Sequence, residues 1–386
     1  MKIAIFSNSY PGHIGGGEKY TLSLAEALYD YGMDVFLIVP RKRISKRNII
    51  SKFYIIETSG PTISEYSLSI FKILKTIRAI KPDVIHLASS PSPTELILLP
   101  LLKISIRVPI FVSFHALFRS RFVNSLIKLS AFFYNLADGM TANSNFLDRL
   151  LRRWGVRSEK ILEIRTSDIY APPLKKFNTE RAIESTRDKS TILFVGILDK
   201  SHKYKGLEIL LLACQELKFR NTELYNSLNI KIIGSGNRLS YFKKLTKDFE
   251  LPNVEYLGKV SSNDLIVEYK SADILVLPSS SYAEGYGTVV MESLFLGTPV
   301  IVSRFAGVSE LVDEYRVGLV VESINSSKLA TAIENYFLNT TLREMILKNS
   351  SDFYNIVLSR RERAVDAIVK AYYHSVLVRN NSTNNF

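Results

Sequence analysis

The chain reads as an α/β protein built from two doubly wound parallel sheets. Three observations predict this. Short, almost uninterrupted apolar runs alternate with amphipathic segments in both halves, the mark of parallel strands covered by helices on each face. A polar stretch over 171–190, with Pro172 and Pro173 and no strong period, separates the halves and reads as a linker. The 386 residues provide for two or three domains, each with a sizeable core.

The elements follow in order. In the first half, KIAIFS (2–7) is a strand, GGGEKYTLSLAEALYDYG (15–32) a glycine loop opening a helix, and DVFLIVP (34–40) the next strand. FYIIET, DVIHLAS, IFVSFH and GMTANS continue the strands, with SLSIFKILKTIRAIKP as a helix and NSNFLDRLLRRWG as a capped one. The second half places strands at 191–198, 229–236, 254–260, 273–280, 299–303 and 318–322, with helices between them. The expected division is an N-terminal domain over 1–170, a linker over 171–190 and a C-terminal domain over 191–358. A closing helix over 359–378 and a disordered tail over 379–386 complete it.

Composition narrows the chemistry. The single cysteine, Cys214, excludes an internal disulfide framework and a cysteine-rich metal site, so a reducing, cytoplasmic setting is expected. Five histidines with no pair at metal-ligand spacing argue against a zinc site. The greasiest region, 96–114, is broken by Lys103, Arg107 and two prolines, and reads as helix end, loop and buried strand rather than a membrane span. Net charge is +13, and its excess is local: 41–52 and 96–137 carry no acid at all. In the second stretch, basic residues interleave with Leu, Phe and Tyr. That pattern suits anionic lipid headgroups better than nucleic acid, and peripheral attachment to the inner face of the cell membrane is the corresponding location. A buried helix with solvated lysines and arginines is the plain alternative.

Several residues sit where chemistry could be done. Gly16, in the first glycine loop, follows a strand and opens a helix, which suits a phosphate or simply a tight turn. His115 ends a buried strand, as a site residue or a satisfied core histidine. Lys200, Lys203 and Lys205 occupy the loop after the first strand of the second half, where lysines could neutralise a diphosphate or merely face water. Gly234 and Gly236 mark a close backbone approach or a strand-end turn. In EGYGTVVMESLFLGTPV (284–300), Glu284 falls in a loop, a helix begins near Gly287, and Glu292 lies about 1.5 turns into it. Two carboxylates flanking a helix start suit the hydroxyls of a sugar and of a ribose with a phosphate between. A helix cap and a lone buried glutamate are the plain reading, and the second of these is costly.

These motifs, in this order, resemble family 4 glycosyltransferases of the GT-B fold, over almost the whole chain. GGGEKYTLSLAEAL resembles the family's Gly-Gly loop, KPDVIHLAS and ADGMTANSNFL its next landmarks, and EGYGTVVMESLFLGTPVIVSRFAGVSELV its E-x7-E segment. The resemblance implies two Rossmann-like domains facing across a cleft, with the C-terminal helix packing back toward the N-terminal acceptor domain. It implies a retaining, metal-independent transfer of a hexosyl unit from a nucleoside-diphosphate sugar to an acceptor hydroxyl, on a lipid-linked or cell-surface glycan. No cofactor and no nucleic-acid partner are implied. Gly16 would approach the donor phosphates, His115 the transferred sugar and Lys205 the diphosphate, with Lys203 beside it. Val260 would help hold the base through its backbone. Glu284 would hold sugar hydroxyls, Glu292 the ribose, and the amides of Tyr286, Gly287 and Thr288 the distal phosphate.

Two departures stand out. Ile197 follows Gly196 where most members have an Arg, and Lys200, His202 or Lys203 are its candidate replacements. The usual Pro-Asn-Gly before the linker is replaced by EIRTSDIY. Two other readings fit the same pattern: a non-catalytic donor-binding partner in a glycan-assembly complex, and a GT-B phosphorylase or epimerase.

Overall fold

The computed structural model describes residues 1–7, 16–40, 54–58, 65–91, 93–115, 125, 128, 131–170, 189–282, 284 and 286–383. The basic stretch 41–52, most of 116–130 and the linker up to residue 188 lie outside the described residues. The chain divides into two compact units, Met1–Pro172 with Leu358–Phe386, and Pro173–Val357.

The first unit contains strands β1 (Lys2–Phe6), β2 (Asp34–Pro40), β3 (Tyr54–Thr58), β4 (Val84–Ser90), β5 (Ile110–Phe114), β6 (Gly139–Ala142) and β7 (Ile161–Arg165). Helices α1 (Gly16–Asp30), α2 (Glu65–Ile80), α3 (Pro93–Ser105), α4 (Asn145–Arg153) and the short α5 (Thr166–Ile169) connect or follow them. The described strands form one parallel sheet, ordered β3-β2-β1-β4-β5-β6-β7, so the winding reverses between β1 and β4. Residues of β5 are all buried, as expected of a central parallel strand covered on both faces. β7 is an element that the sequence does not announce: ILEIR carries a glutamate and an arginine, and only two of its residues pair with the sheet, Ile161 with Met140 and Arg165 with Ala142. It is a sheet edge, where polar residues can face water.

Each face of this sheet has its own core. One gathers Ile70, Ile73 and Ile77 of α2, Leu98, Leu99 and Leu102 of α3, and Leu147 and Leu151 of α4. The other gathers Tyr20, Leu24 and Leu28 of α1 with Ala364, Val365, Ile368, Val369 and Tyr372, a helical stripe near the end of the chain.

The second unit contains β8 (Ser190–Val195), β9 (Leu228–Ile233), β10 (Val254–Gly258), β11 (Ile274–Leu277), β12 (Val300–Ser303) and β13 (Gly318–Val321). Its helices are α6 (Leu207–Arg220), α7 (Thr222–Asn226), α8 (Leu239–Asp248), α9 (Ser262–Ser271), α10 (Thr288–Phe295), α11 (Ser309–Tyr315) and α12 (Ser326–Leu338). The sheet is again parallel, ordered β10-β9-β8-β11-β12-β13, and its winding reverses between β8 and β11. The loops leaving the carboxyl ends of β8 and β11 therefore border a crevice, the place where doubly wound sheets bind ligands.

The last helix, α13, corrects the sequence in two ways. It runs from Thr340 to Thr383, 44 residues, rather than 359–378. The tail expected to be disordered from 379 continues it as far as Thr383. Extending an existing helix avoids the cost of nucleation, so even the polar RNNST can be carried along. Burial of the 364–372 stripe anchors the helix in the first unit, where Arg360 also pairs with Asp168 at 3.2 Å. Among the described residues, no helix is long and apolar enough to cross a membrane.

Candidate functional site

In the second unit the crevice is built from two converging loops. The loop after β8 passes Gly196, Ile197 and Leu198, forms a 3-10 turn over Lys200–Lys205, and enters α6 through Gly206. Gly206 is left-handed, with φ 80°, and a Cβ there would stand 1.9 Å from the carbonyl oxygen of Pro278. Only glycine fits, and its fit seats the Lys205 backbone against the end of β11. The amide of Ser280 ties the same turn down by donating to the Tyr204 carbonyl at 2.7 Å.

From the other side, the loop after β11 carries Glu284. Its amide donates to Ser281 O at 3.2 Å, and its carbonyl accepts from Gly307 N at 3.5 Å. The two loops meet in an ion pair: Lys205 Nζ lies 2.9 Å from Glu284 Oε2 and 3.2 Å from Oε1. The side chains are only 12% and 8% exposed, so the solvated-loop reading of Lys205 is set aside. Lys203, in the same turn, is exposed instead, and its carbonyl accepts from Gly206 N at 3.3 Å.

Two residues beyond Glu284, the buried Tyr286 leads into α10. Gly287 takes the N-cap position with φ 80°, and no side chain caps the helix. The first turn, from Thr288, thus begins with backbone N–H groups and the positive end of the helix dipole next to the carboxylate loop. Glu292 is buried on α10, where Tyr269 Oη of α9 donates to its Oε2 at 3.0 Å. Gly234, after β9, has φ 144°, and a Cβ there would meet Gly196 O at 1.8 Å, so the β8 and β9 loops are in backbone contact. Its amide also donates to Gly258 O, at 2.8 Å, the last residue of β10, two residues before Val260. Lys205, Glu284, Gly234, Tyr286, Gly287 and Val260 thus belong to loops that leave one sheet, and Thr288 and Glu292 to α10, which follows one of them.

Gly16 and His115 belong to the first unit. Gly16 is the first residue of α1, the helix that follows β1 in the chain. His115 follows β5, and its Nε2–H donates to the Ala88 carbonyl at 2.7 Å, leaving Nδ1 as the acceptor in the neutral ring. Tyr20 packs edge-on against it, with centroids 4.5 Å apart, and the His115 carbonyl accepts from Asn143 Nδ2 at 2.9 Å. Burial pulls its pKa down from 6.5 to about 4, against a smaller opposing pull from the Ala88 carbonyl. Tyr20, Asn143 and Tyr269 come from other elements and share no spacing with the residues they hold. No sequence signal marks them.

Two doubly wound parallel sheets of this order are the architecture of the GT-B glycosyltransferase class. The fold comparison agrees: HepE of Anabaena, solved in complex with UDP-glucose, superposes with a TM-score of 0.74 at 17% identity over 96% of this chain and 100% of that one. Two family models match consecutively, Glycosyltransferase Family 4 over residues 14–166 and Glycosyl transferases group 1 over 176–353, and the chain belongs to this family of glycosyltransferases. An uncharacterized glycosyltransferase of Methanocaldococcus jannaschii is 32% identical over 177 residues, 46% of this chain and 43% of the relative. A D-inositol 3-phosphate glycosyltransferase of Pseudarthrobacter chlorophenolicus is 32% identical over 146 residues, 37% of this chain and 33% of the relative. The chain thus spans less than half the length of these curated relatives.

Proposed function

We propose that the protein is a retaining glycosyltransferase that moves a hexosyl unit from a nucleoside-diphosphate sugar to an acceptor hydroxyl. The observation that carries this reading is the buried meeting of Lys205 and Glu284 beside the bare N-terminus of α10. A lysine and a helix start suit a diphosphate, and the neighbouring carboxylates suit hydroxyls. The bound UDP-glucose of HepE supports the donor class.

In this reading Glu284 takes hydroxyls of the transferred sugar and Glu292 those of the ribose. Gly234 lets the backbone approach the nucleotide, and Val260 presents its backbone to the base. As the bond from the anomeric carbon to the phosphate oxygen breaks, negative charge grows on the leaving diphosphate. Lys205 and the amides of Tyr286, Gly287 and Thr288 stabilise that charge. The acceptor oxygen attacks the same face while its proton passes to the leaving phosphate, which preserves the anomeric configuration without a metal. Gly16 approaches the donor phosphates, and His115, neutral at physiological pH, meets the transferred sugar as a hydrogen-bonding group.

The acceptor we propose is a lipid-linked or cell-surface glycan. On α3, Ile97, Leu101 and Ile104 recur at i, i+4 and i+7 and are exposed, Ile104 by 81%, with exposed Phe132, Arg107 and Lys128 elsewhere in the same acid-free stretch. An apolar stripe with basic companions suits peripheral attachment to an anionic bilayer.

A melting-shift screen across nucleotide sugars identifies the donor, since a ligand that binds only the native state raises apparent stability. With donor and acceptor the protein should release a nucleoside diphosphate, and Lys205→Ala and Glu284→Ala should abolish release while leaving the fold intact. Normal turnover in both variants removes the site assignment. Tight donor binding with no turnover across an acceptor panel replaces the enzyme with a donor-binding partner.

A further inference from the structure

We infer that the Lys205–Glu284 ion pair lets the site distinguish a nucleotide sugar from the nucleoside diphosphate that remains after transfer. The inference rests on the donor reading above and concerns what holds these two side chains before a donor arrives.

Both backbones are held by contacts other than the ion pair. Gly206 and Ser280 hold the lysine turn against the end of β11, and Ser281 and Gly307 hold the Glu284 loop. Arrival of a ligand therefore reorients side chains rather than loops. The pair is almost wholly removed from water. Separating such a pair costs much more than separating an exposed one, unless each partner is compensated at once.

A nucleotide sugar compensates both. Its diphosphate takes Lys205, and its sugar hydroxyls donate to Glu284, so neither charge is left buried and alone. A nucleoside diphosphate compensates only one. It draws Lys205 away and leaves Glu284 as a buried carboxylate beside further negative charge. Once the sugar has moved to the acceptor, Glu284 loses its hydroxyl donors and recaptures Lys205. Product release is thus driven from within the site. Gly196 sharpens the arrangement: a Cβ there would come within 2.9 Å of Lys205 Cδ, so the stem of the lysine runs along bare backbone.

Calorimetric titration of UDP, GDP, ADP, UDP-glucose, GDP-mannose and ADP-glucose into wild type, Glu284→Gln and Glu284→Asp tests this, with each variant's fold checked by circular dichroism. Wild type should bind a nucleotide sugar at least about tenfold more tightly than its matching diphosphate. Glu284→Gln keeps the shape, removes the charge and frees Lys205, so the diphosphate should tighten by about tenfold and the preference for the sugar form should collapse toward one. Glu284→Asp keeps the charge and should keep the weak diphosphate binding. Unchanged or weakened diphosphate binding in Glu284→Gln overturns the inference while leaving the donor reading in place. Failure of all six probes to bind wild type overturns the donor reading itself, and the inference falls with it.

Discussion

The phenol of Tyr372, in the last third of α13, hydrogen-bonds Nδ1 of His86 on β4, 286 residues earlier in the chain. The contact continues inward. His86 Nε2 meets Ser113 Oγ at 2.7 Å, and Ser113 Oγ meets Tyr20 Oη at 2.7 Å and Thr141 Oγ1 at 3.0 Å. Thr166 Oγ1 then donates to Thr141 at 2.9 Å. Every member is buried, and together they bond α1, β4, β5, β6, α5 and α13 through side chains alone.

Tyr372→Phe removes one hydroxyl from this network and leaves His86 Nδ1 buried without that partner. An orphaned buried polar group costs about 1–3 kcal/mol. The unfolding midpoint of the unit that contains it should fall accordingly, as followed by circular dichroism in urea. A midpoint unchanged from wild type would show that the hydroxyl contributes nothing.

The histidines make stability pH-dependent. Burial lowers His86 from 6.5 to about 3, with His115 adding a smaller push in the same direction, and lowers His115 from 6.5 to about 4. Below about pH 6.5 the unfolded chain takes up protons that the folded one refuses, so folding loses free energy as pH falls through that window. The loss should level off for His115 near pH 4 and for His86 near pH 3. Urea midpoints measured in steps from pH 8 to pH 4 read the slope, and His115→Gln should flatten it. An unaltered slope in that variant assigns the acid sensitivity elsewhere.

Gly206→Ala forces a Cβ into the Pro278 carbonyl, 1.9 Å away, at a left-handed φ of 80°. Strain at such a position costs about 1–3 kcal/mol, and the cheapest relief is movement of the lysine turn. The variant should fold with a lowered melting temperature and lose the melting shift given by the wild-type donor. Retention of the full shift would mean that Lys205 does not depend on this seat.

The Glu292 carboxylate is buried and accepts from Tyr269 Oη. If it clamps a ribose, wild type should bind a ribonucleoside diphosphate more tightly than its 2′-deoxy counterpart. Glu292→Gln should reduce that difference, because an amide oxygen accepts more weakly than a carboxylate. An equal preference in wild type and variant would remove the ribose role.

Much of this was legible in the chain itself. Parallel strands buried on both faces have to be apolar throughout, so β5, β8, β11 and β12 are visible as runs. The E-x7-E segment is equally local: one loop, one left-handed glycine and one helix fix where Glu284, Gly287 and Glu292 stand. What stayed hidden depends on partners distant in sequence. Nothing near Lys205 announces that Glu284 will neutralise it 79 residues later. Likewise, nothing in AVDAIVKAYYHS says that the first of its two tyrosines, Tyr372, will reach His86. β7 escaped because an edge strand can be polar, and the length of α13 because a helix already nucleated can carry residues that would not start one.

The first unit is discontinuous: its stripe from Ala364 to Tyr372 is synthesised after every residue of the second unit. Domains ordinarily fold in the order in which they leave the ribosome. Here the order is inverted. The portion translated first waits, with one sheet face covered by α1 but lacking the 364–372 stripe, until nearly the whole polypeptide has emerged, while the portion translated second already has all its own residues. The nascent chain therefore carries part of that apolar face unpacked through most of its synthesis, and a stop codon near residue 358 would leave that part permanently so.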